Sequence, residues 1–105
     1  MHISTTRWTI DRAHYPKASG RYALSDHAIE RMYTRQVRPA QIVRALRYGR
    51  VIHARGAVHF VLGHKEVARY DAVRPGDNGV QVVVSDLGDG TVMTCYRNPD
   101  ALPRA

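Results

Sequence analysis

The hydrophobic spacing of this chain changes once, at Gly49, and that change decides what the chain can fold into. Before Gly49, apolar residues recur every three or four positions: Ala28, Ile29, Met32 and Tyr33, then Ile42, Val43 and Leu46. That period puts each set on one side of a helix. After Gly49 the pattern becomes short β-branched runs separated by turn formers, which reads as strands. Two helices followed by a meander of strands is an α+β arrangement.

The first helix is expected from Asp26 to Thr34, capped by Ser25 or Asp26, with Leu24 beside the cap as a candidate hydrophobic staple. Gln36 to Arg38 makes the turn. Pro39 suits the first position of a second helix running to Tyr48, with Arg44 and Arg47 exposed and Gly49 as C-terminal cap. So short a connection makes the helices neighbours in space. Val51 to Ala54 and Val58 to Leu62 read as strands around an Arg55-Gly56 turn, and Val67 to Val73 as a third extended stretch. Arg74 to Gly79 is a loop dense in turn formers. Val80 to Ser85 is expected as a central strand. Leu87 to Gly90 is a hairpin turn, and Thr91 to Arg97 returns as the antiparallel partner. The expected architecture is two N-terminal helices on one mainly antiparallel sheet of about four strands, with the far sheet face open to a ligand. Residues 1–22 form an N-terminal arm or short helix that packs Trp8 on the domain, residues 23–98 the domain and residues 99–105 a tail.

At 105 residues this is one domain by size. The formal charge of +7 comes mostly from arginine, whose planar fork of donors suits phosphates. Such a balance favours a polyanion or an acidic protein as partner. Apolar runs are only strand-sized and the N-terminus lacks a signal-peptide stretch, so a cytoplasmic protein without a membrane span is expected. Cys95, the one cysteine, cannot form an internal disulfide or a thiolate cluster. Asp26, Glu30, Asp86 and Asp89 do not converge at metal-site spacing, and His53, His59 and His64 lack anionic company, so neither metal nor cofactor is expected.

His27, Arg31 and Arg35 follow one another at four-residue intervals and line one side of the first helix. A titratable ring beside two guanidiniums makes chemical sense next to a phosphate. The competing reading is a solvated face, with the arginines pairing to Asp26 or Glu30 and His27 bonded locally.

The series Ser25-x-His27-Ala28-x-x-Arg31-Met32, then Arg35, the Pro39-started helix ending at Gly49, and the closing Asp89-Gly90-Thr91-Val92-x-Thr94-x-Tyr96-Arg97-Asn98 together resemble the DUF4258 family over about Tyr22 to Asn98. The family looks like a branch of the RNase-toxin fold of RelE-type toxins, barnase-like nucleases and colicin E5 and D tRNases. The resemblance implies a RelE-like fold and suggests His27, Arg31, Thr94 and Tyr96 as active-site positions. It says nothing about the arm before Tyr22.

Metal-independent RNA cleavage needs a base for the ribose 2′-hydroxyl, an acid for the leaving 5′-oxygen and cations for the phosphate. His27 is the first choice as acid or base, because histidine titrates near neutral pH. Arg31 and Arg35 suit the phosphate. His59, with His53 a weaker choice, could be the second proton-transfer group, and Lys65 an auxiliary contact. Thr94 and Tyr96 share one side of the last strand and Cys95 and Arg97 the other, so Arg97 could join Tyr96 only from the strand's end. Tyr96 and Thr94 also have a plain reading as packing residues. The expected function is an endoribonuclease toxin of a toxin–antitoxin or conflict system, acting on mRNA or tRNA and held in check by an acidic antitoxin. The alternatives are a non-enzymatic module for nucleic acid or acidic protein, and an assembly partner that uses the last two strands as an interface.

Overall fold

The β-branched side chains of Val80, Val82, Val83 and Val84 favour an extended backbone, and the segment they form becomes an inner strand of a six-stranded sheet. A computed structural model describes residues 7–9, 21–85 and 90–97. In chain order the elements are β1 (Arg7–Thr9), β2 (Arg21–Leu24), α1 (Asp26–Thr34), α2 (Pro39–Tyr48), β3 (Arg50–Ala54), β4 (Ala57–Val61), α3 (His64–Arg69), a 3-10 turn (Pro75–Asp77), β5 (Val80–Val84) and β6 (Thr91–Arg97). The sheet order is β1-β2-β6-β5-β4-β3. All neighbours are antiparallel except β2 and β6, which run parallel through Ala23 opposite Thr91 and Leu24 opposite Val92.

Both long helices form where their spacing predicts. Ser25, not Asp26, caps α1: its Oγ accepts from the Ala28 N–H at 3.1 Å. The helix ends with Gln36 in the left-handed region (φ 52°), while the Val37 N–H reaches back to the Met32 carbonyl at 2.9 Å. Buried Met32 and Val37 complete this stop, in the manner of a Schellman motif. Pro39 opens α2 and Arg55-Gly56, both at positive φ, turn β3 into β4. Helix α1 packs against β6, and α2 against β5. Between helices and sheet lie Ala28, Met32, Ile42, Ala45 and Leu46 from above and Val58, Phe60, Val80, Val82, Val84, Val92 and Cys95 from below. Each large apolar side chain buried here contributes roughly 1.5–3 kcal/mol.

The N-terminal segment differs from its expected form as an arm or short helix. Arg7–Thr9 and Arg21–Leu24 are paired strands, and they raise the sheet from about four strands to six and make it mixed. Tyr22 anchors the pair, since its ring is buried and meets Phe60 edge-on at 5.9 Å. Strands of three and four residues hold too few alternations to show a period, and the parallel partner of β2 lies far along the chain. The stretch Val67 to Val73, expected to be extended, begins inside α3. Glu66 accepts from the N–H of the cap residue Gly63 at 2.8 Å and starts a helix that puts Val67 and Tyr70 against the core. Tyr33, expected on the buried side of α1, is 58% exposed at its end. Of the expected turn Leu87 to Gly90, residues 87–89 lie outside the described residues, as does the tail at 99–105.

Arg44 is not the exposed residue expected. It clamps Asp77 with two hydrogen bonds, Nε to Oδ2 at 2.7 Å and Nη2 to Oδ1 at 2.8 Å, and thereby ties α2 to the loop before β5. Asp77 also accepts from Gln41 Nε2 and from the Arg74 N–H. Burial by itself raises the Asp77 pKa, but these hydrogen bonds and the Arg44 charge outweigh it and hold the carboxyl below its usual value of 3.8. A depressed folded value means stability that is present above the unfolded pKa and lost as pH falls through the folded one. Wild type should therefore exceed Asp77→Asn by about 2 kcal/mol at neutral pH. That gap should stay level down to about pH 4 and close below it, as read by urea unfolding at each pH.

Gly49 follows α2 as expected, but for a different reason. Its φ of −63° suits any residue, so the left-handed cap is not what requires glycine. Space is: a Cβ there would lie 2.4 Å from the Ala45 carbonyl oxygen and 3.0 Å from the Val61 nitrogen, both backbone atoms. Gly49→Ala should cost about 1–3 kcal/mol in urea unfolding, the range for overpacking.

Candidate functional site along the α1 and β6 edge

Strand β2 pairs with β6 only as far as Val92, so the next outward carbonyls of β6 need other donors. Helix α1 supplies them. Ser25 Oγ donates to the Met93 carbonyl at 3.3 Å, and Arg35 Nη1 donates to the Cys95 carbonyl at 3.0 Å. The Arg35 guanidinium also lies over the Tyr96 ring, 4.3 Å from its centroid. Such a cation–π contact contributes on the order of 0.5–2 kcal/mol, depending on its exposure. One turn before Arg35, Arg31 Nε donates to His27 Nε2 at 3.2 Å. Only a neutral imidazole with its proton on Nδ1 can accept that bond. Neither Arg31 nor Arg35 pairs with Asp26 or Glu30 among the described residues.

The sheet face turned away from the helices carries the second set of candidates. The register aligns Ile52, His59, Val83 and Thr94 in one row and Arg50, Val61, Gln81 and Tyr96 in the next. Residues aligned in this way share a face. This face is not open as expected: Ile52, His59, Val61, Gln81 and Val83 are all buried. Its apolar content is that of a covered layer, and only Arg50, Ala54, Ala57, Thr94 and Tyr96 are partly exposed. Among the described residues, both ring nitrogens of His59, Gln81 Oε1 and Thr94 Oγ1 are buried without a hydrogen-bond partner. Arg50 forms an ion pair with Glu66 at 3.4 Å.

Arg35 and Tyr96 are thus in contact, His27 and Arg31 are bonded one and two turns back, and Thr94 and His59 share the face of Tyr96. Strand spacing separates the His59 and Thr94 backbones by roughly 10 Å. Two expected substrate contacts do not join them. Lys65 stands exposed on α3 and hydrogen-bonds to none of the others. Arg97 turns to the helix side and donates Nη2 to the Gly76 carbonyl at 2.9 Å. His53, the weaker alternative, aligns with Val58 on the helix side. Gln81 was not foreseen, although its place as the polar residue in VQVVV marks it by period two. Cys95 is buried beneath α1, and burial pushes its thiol up to about 11 against the opposing effect of Arg35. Among the described residues no three His, Cys, Asp or Glu side chains gather as a metal site. No described helix is long and apolar enough to cross a membrane.

A buried polar atom left without a partner costs about 1–3 kcal/mol. His59→Phe should therefore leave the melting temperature unchanged or raise it, although a core residue is being replaced. A large fall in melting temperature would show that the imidazole nitrogens are satisfied in the folded protein.

Comparison with curated proteins and with solved structures gives no match. The family described as a domain of unknown function, DUF4258, matches residues 24–97, from the end of β2 to the end of β6. That segment is well over half of the chain and holds α1, the β6 edge and both rows of the far sheet face. The chain belongs to the DUF4258 family.

Proposed function

We propose that this protein is a metal-independent endoribonuclease on a RelE-like scaffold, the toxin of a toxin–antitoxin or related conflict system. The observation that carries the reading is the Arg35 guanidinium over Tyr96, continued along α1 by the bonded Arg31 and His27. Three groups suited to phosphate and proton transfer stand along one helix edge, and among the described residues no acidic side chain pairs with the arginines.

In this reading a phosphate draws Arg31 away from His27, because an anion is the stronger acceptor for a guanidinium. That frees the Nε2 lone pair of His27 to take the proton of the ribose 2′-hydroxyl. The 2′-oxygen attacks phosphorus, the bond to the 5′-oxygen breaks, and a 2′,3′-cyclic phosphate forms. Tyr96 supplies the proton to the departing 5′-oxygen, because both ring nitrogens of His59 are buried. Arg31 and Arg35 stabilise the charge on the crowded phosphorus centre. Aromatic rings such as Tyr96 give an unpaired base a stacking surface, which favours single-stranded RNA or a tRNA loop.

Folded protein should cleave total RNA in EDTA, and His27→Ala and Tyr96→Phe should each lower the rate by about a hundredfold or more, the scale of general acid–base catalysis. Intact RNA with wild-type protein would sink the reading. The second reading, a non-enzymatic binder of nucleic acid or of an acidic protein, is favoured by Arg38 and Arg74, which lie beyond this edge, are exposed and form no ion pair among the described residues. It requires salt-sensitive RNA binding without turnover, weakened gradually as arginines are removed and not abruptly at His27.

A further inference from the structure

A cavity of about 650 Å³ opens on the other side of β6, between the α1–α2 turn and the loop that carries the 3-10 turn. Among the described residues its wall holds Arg38, Arg44, Arg74 and Arg97 against a single carboxylate, Asp77. That carboxylate is saturated by the bidentate Arg44, by Gln41 and by the Arg74 N–H. It has nothing left for the remaining cations. Arg97 is fixed across the cavity through the Gly76 carbonyl, which Gln41 also holds. The side chains of Arg38 and Arg74 are exposed and form no ion pair among the described residues. Two free guanidiniums, a third pinned one and the N-terminal end of α2 therefore face one space, and each favours an anion.

The remaining wall is not polar. Met32 and Val37 are buried residues that reach the cavity, and Tyr33 stands 58% exposed beside it. An exposed tyrosine at the end of an amphipathic helix is poorly explained by packing. Beside a basic wall it is a platform on which a flat ring can stack. A ligand matching both halves carries a phosphate and an aromatic ring, and the volume is of the size that holds a small molecule.

We propose that this cavity binds a nucleotide, with the phosphate on Arg38, Arg74 and Arg97 and the base against Tyr33. The nucleotide can be free or can be one unit of a single strand. The proposal does not rest on RNA cleavage, because His27, Arg31, Arg35 and Tyr96 are not among the residues that line this cavity. Arg97 is adjacent to Tyr96 in the chain but on the opposite face, so one strand serves two separate surfaces.

Calorimetric titration with adenosine 5′-monophosphate, adenosine, inorganic phosphate and triadenylate tests it. The monophosphate or the trinucleotide should bind in a salt-sensitive way, and more tightly than adenosine or phosphate alone. If only the trinucleotide binds, the source is a strand, and if the monophosphate binds as well, a free nucleotide suffices. Arg38→Ala with Arg74→Ala should weaken binding about tenfold or more, as expected for lost charge-assisted hydrogen bonds. Tyr33→Ala should weaken it and Tyr33→Phe restore it, while His27→Ala should leave it unchanged. Thermal melts confirm that each variant is folded. No binding by either nucleotide probe, binding unchanged in the arginine double variant, or equal binding of a polyglutamate peptide lost in the same variant would overturn the proposal.

Discussion

Strand β6 has an edge that its neighbour covers only in part, and the rest of the candidate site follows from how the remaining carbonyls are satisfied. Backbone carbonyls near a core need donors. Ser25 and Arg35, at the two ends of α1, each give one to β6. These bonds fix the helix along the strand at both ends. They also place a guanidinium against the Tyr96 ring and align His27 and Arg31 along the same border. An edge left bare in this way is open to pairing with another chain. Here the same side chains that close it form the cationic border of the site.

On the other side of β6 the controlling interaction is the clamp from Arg44 to Asp77. It consumes the one carboxylate that the described residues bring to the basic cavity and holds the loop that shapes one wall. A structural ion pair thereby leaves Arg38 and Arg74 without ion-pair partners among the described residues, which is how a stabilising contact produces an electropositive cleft. Tyr96 and Arg97 fall on opposite faces because successive strand residues alternate. Each surface therefore has its own aromatic residue and its own cations.

On the far sheet face, His59, Gln81 and Thr94 in two adjacent rows run against the agreement seen on the helix side. In α1, α2 and the layer facing them the local choices agree: a serine cap, a proline start, a closed turn and a helix-facing layer of valines. On this face several polar atoms are buried without partners among the described residues. Places where a sequence departs from such agreement are where functional demands outweigh stability. In the proposed reading Thr94 and Tyr96 share this face, and the burial of its ring nitrogens keeps His59 out of contact with RNA.

The two long helices, their caps, the hairpin of β3 and β4 and the pairing of β5 with β6 were legible in the sequence, because each depends on neighbours a few residues away or on one clear period. The same alternation separated Thr94 and Tyr96 from Cys95 and Arg97, and four-residue spacing put His27, Arg31 and Arg35 on one border. Other features rest on contacts between distant residues. The parallel seat of β2 on β6, the burial of the far sheet face and the choice of Asp77 as partner for Arg44 leave no local pattern to find. Helix α3 was hidden because Val67 and Tyr70 suit a strand or a helix equally, and the Glu66 bond to Gly63 decides between them. Local sequence thus determined which segments are helix or strand and which residues share a side. Only the tertiary structure decided which sides meet, because that depends on backbone groups finding donors far along the chain.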